Sequence, residues 1–136
     1  MSIFRHSEPV VFSTLTLTIQ GTSVITTEYE LKRNDIGMNA ALYIGNWNFN
    51  EDTERSDCLK KLNECSRESY EQFNSLLNDL KVIKWNDKHL NNPHALDGET
   101  FTLDIQLTNG SSIHCSGTNS YPKGYSDLYK AIKSFF

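Results

Sequence analysis

From Thr100 to Leu107 every second residue is apolar, and from Tyr125 to Phe136 the apolar residues return at every third or fourth position. The first period belongs to a strand with one buried face, the second to a helix with one buried stripe. Between them lies Asn109-Gly110, a strong hairpin signal because both residues accept positive φ. A partner strand over Ser111–Ser116 follows, then a turn from Gly117 to Pro122. A strand, a hairpin, a strand, a turn and a helix in that order demand a sheet with a helix packed on it.

The first part of the chain supplies more of the sheet. Thr14, Thr16 and Thr18 alternate with Leu15, Leu17 and Ile19, so residues 10–19 read as a half-buried strand. Residues 24–32 alternate again, with Ile25, Thr27, Tyr29 and Leu31 on one face. Asn34-Asp35 and Gly37 signal a turn, and residues 38–47 form a third strand. Short connections make these three an antiparallel meander. Residues 48–57 are polar and acidic and read as an exposed loop. Residues 58–62 read as a short extra strand or as the approach to a helix.

That helix is expected over residues 67–80. Tyr70, Phe73, Leu76, Leu77 and Leu80 fall on one face, and Ser66 is a suitable N-cap. Residues 86–98 read as a polar connection holding Pro93. The expectation is therefore α+β: a mainly antiparallel sheet of about five to six strands, with two amphipathic helices, near 67–80 and 124–135, packed on it. With 136 residues, the chain reads as a single globular domain over 1–136.

The net charge is −4, and residues 51–80, with eight acids against four bases, account for all of it. Such a balance argues against generic nucleic-acid binding, which needs a basic surface. It suits a basic protein partner, and it equally suits a solvated face that keeps a domain soluble. Cys58, Cys65 and Cys115 are odd in number and include no tight pair, so no disulfide framework is expected. The first nine residues contain Arg5, His6 and Glu8 and do not read as a signal peptide. No run is long and apolar enough for a membrane span. The expected compartment is the cytoplasm.

No catalytic constellation stands out. The histidines His6, His89, His94 and His114 lack the spacing of a metal site, so no metal or other cofactor is expected. His114 and Cys115 are adjacent on a strand and point to opposite faces, which denies them a nucleophile–base hydrogen bond. The expectation is a core Cys115 and an outward His114. Trp47 and Trp85 read as core or rim aromatics, or as interface anchors if exposed.

Trp85, Leu96-Asp97-Gly98, Asn109-Gly110, Gly117-x-Asn119-x-Tyr121-Pro122, Tyr125 and Leu128 form an ordered set. The set resembles a pattern found in small uncharacterised bacterial α+β domains. In size, charge and single-domain form the chain also resembles immunity proteins of bacterial toxin–immunity (contact-dependent inhibition) systems. That resemblance implies a non-enzymatic protein that covers the active or substrate-binding surface of a cognate toxin, such as a nuclease. The candidate partner-binding residues are Glu51, Asp52, Glu54 and Asp57, with Glu68 and Glu71 on the adjoining helix. Two alternatives stand beside it: a regulatory or phage-encoded protein that captures a small molecule or host factor, and a structural subunit.

Overall fold

A computed structural model of the chain describes residues 9–21, 25–46, 55–92 and 98–136. Seven strands form one sheet: β1 (Phe12–Gln20), β2 (Thr26–Arg33), β3 (Gly37–Gly45), β4 (Leu59–Ser66), β5 (Lys88–Asn91), β6 (Thr100–Leu107) and β7 (Ser112–Thr118). Their spatial order is β4-β3-β2-β1-β6-β7-β5. Every neighbouring pair is antiparallel except β5 and β7, which run parallel. Two helices, α1 (Arg67–Asp79) and α2 (Tyr125–Lys133), complete the fold, with 3-10 turns at Arg55–Cys58 and Val82–Trp85.

Period-two alternation decides which face is buried. Leu15, Leu17, Leu31, Phe101, Leu103 and Ile105 have no exposed surface, and they meet Phe73, Leu77, Leu128 and Ile132 of the helices. Each such side chain contributes about 1.5–3 kcal/mol of transfer free energy. Both helices therefore lie on one face of the sheet. Ser66 caps α1 by accepting a hydrogen bond from the Ser69 amide at 3.1 Å.

The sheet has one or two more strands than the five or six expected. β4 takes up the strand alternative read at residues 58–62 and extends it to Ser66; its pattern is weak because it is an edge strand with no buried row. Its inward-facing Lys61 and Asn63 instead donate to the carbonyls of Phe136 and Phe135. β5 is four residues long with only Leu90 half-buried, so it carries no periodicity. It forms by parallel pairing with β7, within the stretch that reads as a connection.

The Asn109-Gly110 hairpin closes differently from the two-residue turn its sequence suggests. Only Gly110 has positive φ, at 91°. The Gly110 amide donates to the Leu107 carbonyl at 3.0 Å and the Leu107 amide to the Ser111 carbonyl at 2.9 Å. This is a three-residue loop with glycine in the left-handed position. At the other end of β7, Gly117 is fixed by space. A Cβ there would lie 2.1 Å from the Ser120 carbonyl oxygen and 2.5 Å from the Phe101 ring. Asn119 takes φ 55°, and its side chain accepts from the Glu99 amide at 3.0 Å. Tyr121 stacks on Phe101 with centroids 5.4 Å apart and donates to Glu99 at 2.5 Å. The helix that follows has Gly124 as its N-cap, with no side-chain cap hydrogen bond.

Candidate functional site

Among the described residues neither helix covers the other face of the sheet, where the Arg55–Cys58 turn packs on β2 and β3 and strand register arranges the side chains in rows. One row runs Ala41, Glu30, Thr16, Asp104 and His114 across β3, β2, β1, β6 and β7. The next runs Tyr43, Glu28, Thr18, Thr102 and Ser116, and reaches His89 on β5. Two charged groupings stand on these rows, separated by threonines. Three strand spacings, roughly 14 Å, separate β2 from β7.

The first grouping is built by Arg55. Its guanidinium forms an ion pair with Glu28 and reaches Glu30 and the Tyr43 hydroxyl, each at 3.3 Å. It also lies over the Tyr43 ring, 4.2 Å from the centroid. Glu28 is 8% exposed, which makes it the only buried carboxylate among the described residues. A carboxylate at that depth needs its cation. Burial opposes the charge on Arg55, but Glu28 and then Glu30 outweigh it and raise its pKa above the ordinary value. Thr18 adds a hydroxyl donor to Glu28 at 3.3 Å.

The second grouping is histidine-rich. His114 Nδ1 lies 2.5 Å from the Asp104 carboxylate. His89 Nδ1 lies 2.8 Å from the Ser116 hydroxyl. The two imidazoles are 5.6 Å apart between centroids. A relay would need one imidazole to join serine to carboxylate through its two nitrogens. Here Ser116 and Asp104 hold different histidines, so the relay is broken. Asp104 and His114 are also nearly half-exposed, at 47% and 43%. Both side chains therefore keep part of their hydrogen-bonding surface open to solvent.

The expectation for His114 and Cys115 holds: His114 faces outward, and Cys115 is fully buried. Burial raises the Cys115 thiol pKa, against a smaller opposing effect of Lys88, which keeps it unreactive. Trp85 is a core aromatic, 4% exposed. Among the described residues, no group of three or more His, Cys, Asp or Glu side chains is placed to hold a metal ion. No described helix is long and apolar enough to cross a membrane.

Of the six expected partner-binding acids, three lie among the described residues. Asp57 is exposed in the turn that carries Arg55. Glu68 and Glu71 are exposed on the first part of α1, in the helical layer. The eight residues of β4 stand between Asp57 and Glu68. Glu51, Asp52 and Glu54 lie outside the described residues, as do Trp47, His94 and Leu96-Asp97. The outer-face residues Glu28, Glu30, Arg55, Asp104, His89 and Ser116 escaped the sequence reading. Their trace was present in the spacing of two: Glu28 with Glu30 and His114 with Ser116 share a strand face.

No protein-family model matches the chain, and no curated protein sequence matches it significantly.

Proposed function

We propose that this protein is a non-enzymatic protein-binding domain that neutralises a cognate bacterial toxin, in the manner of an immunity protein. It docks through the open face of the sheet and covers the toxin's active or substrate-binding surface. The observation that carries the reading is the one-sided sheet. Its uncovered face holds Glu30 and Asp104 in rows set by strand register. Side chains on a sheet are held at fixed spacing, which lowers the ordering cost of binding.

The Arg55–Cys58 turn adjoins this face through Arg55, which Glu28 and Glu30 hold. Asp57 belongs to the same turn. A basic, nuclease-like cleft is the matching partner surface. Glu68 and Glu71 lie on the helical layer and stay outside the proposed contact.

The test first captures the protein partner from the native host by pull-down, and then uses it in calorimetric titrations at two salt concentrations. Asp104→Lys and Asp57→Lys are expected to weaken binding by about tenfold or more and to flatten its salt dependence. Glu68→Lys is expected to leave both unchanged. Equal affinity in the wild type and in both outer-face reversals would remove the proposal.

A further inference from the structure

A groove lies where the end of α1, the Val82–Trp85 turn, β5 and the start of α2 meet. Its volume is about 540 Å³. Lys81, Lys84, Lys88 and Lys123 line it, against two acids, Asp79 and Asp127. Four of the nine lysines of an acidic chain thus share one groove. Among the described residues, no carboxylate lies within ion-pair distance of any of the four. Arg55, by contrast, holds two carboxylates at once. Like charges gathered without partners repel one another, and an anion in the groove would relieve that repulsion.

The backbone at Lys81 carries a second signal. Lys81 follows the last turn of α1 with φ 55°, the left-handed position that glycine adopts with least strain. A lysine there carries backbone strain, and its side chain lines the groove. Strain of this kind concentrates at ligand sites. Gly124, at φ 96°, leaves the far wall without a side chain.

The chemistry of the lining selects the ligand class. Ammonium groups act as point charges suited to phosphate oxygens, and no guanidinium fork is present. The volume is that of a small-molecule site. Trp85, at 4% exposure, offers no platform on which bases could stack, and the chain's net charge of −4 opposes a long polyanion. We propose that this groove binds a small diphosphate-bearing molecule. The site is separate from the open sheet face, and its failure would leave the docking proposal standing.

The experiment is calorimetry on the full chain at low salt with inorganic pyrophosphate, inorganic phosphate and ADP. Pyrophosphate should saturate one site, bind at least about tenfold more tightly than phosphate, and weaken as salt rises. The Lys84→Ala/Lys123→Ala double variant, with circular dichroism confirming its fold, should lose at least about tenfold in affinity. The Lys130→Ala/Lys133→Ala control should lose none. ADP binding as well as pyrophosphate identifies the free diphosphate as the recognised unit, and tighter ADP binding identifies a diphosphate ester. On the wild-type chain, amide shifts on adding pyrophosphate should concentrate at residues 81–88 and 123–128. Absence of saturation, unchanged affinity in the groove double variant, or shifts centred elsewhere would overturn the proposal.

Discussion

Asn78 accepts a hydrogen bond from the Val10 amide at 2.7 Å and donates to the Val10 carbonyl at 3.0 Å. One helical turn away, Asn74 accepts from the Phe12 amide at 3.0 Å and also donates to the Val10 carbonyl at 2.9 Å. Two side-chain amides thus serve the chain's entry into β1 as a neighbouring strand would. Removing one leaves a partly buried backbone amide unpaired, at a cost of about 1–2 kcal/mol. Asn78→Ala should accordingly lower the melting temperature by roughly 3–6 °C in a thermal melt. A change below about 1 °C would show that water replaces the side chain. Tyr125 poses the opposite case. Its hydroxyl is buried and, among the described residues, has no hydrogen-bond partner. Tyr125→Phe deletes an unsatisfied group and keeps the ring against Phe101 and Tyr121. It should be neutral or stabilising by up to about 1 kcal/mol, measured by urea denaturation. A clear loss of stability would mean the hydroxyl has a partner.

At the scale of elements, α2 and the end of the sheet enclose a tyrosine layer with a definite response to alkali. Burial, followed by the neighbouring Tyr129, raises the Tyr29 pKa. Burial, followed by the Glu99 hydrogen bond, pushes Tyr121 up to about 12. Burial raises Tyr125 as well. An unfolded tyrosine ionises near about 10. Above that pH the unfolded chain loses protons that the folded chain retains, so rising pH favours unfolding. Stability should be complete below about pH 10 and fall toward pH 12. The raised thiols of Cys65 and Cys115 should start the decline closer to pH 9. Urea midpoints between pH 8.5 and 11.5, all set by these ordinary ranges, should fall along that course, and Tyr121→Phe should reduce the slope. A flat profile would contradict the burial of the layer.

The elements differ in how legible they were. β1, β2, β3, β6, β7 and both helices were readable because each carries a buried row or stripe. β4 was legible only as one of two readings of residues 58–62, and β5 was not legible, because neither has a continuous apolar row and pairing with other strands creates them. The acids of residues 51–80 looked like one cluster along the chain. Folding places the eight residues of β4 between Asp57 and Glu68. Register, which pairs Asp104 with His114 and Thr18 with Glu28, depends on long-range pairing that local periodicity does not contain. Asn74 and Asn78 carry no signal along the chain, yet their spacing of four brings both side chains to the strand entry.

Among the described residues the fold is asymmetric: two helices cover one face of the sheet, and neither covers the other. Antiparallel sheets tolerate this when the outward residues are polar, as the threonine rows of β1 and β6 are. The outer face nevertheless holds more organised charge than solubility requires, with Arg55 drawn onto Glu28 and His114 onto Asp104. The central claim is that this face is where the protein meets its partner. Amide chemical-shift mapping of the complex with the protein partner captured from the native host tests it most directly. Thr16, Thr18, Thr102, Asp104 and His114 should shift or broaden, and the solvent-facing residues of α1 and α2 should stay in place. A footprint on the helices with an unchanged sheet face would contradict the account.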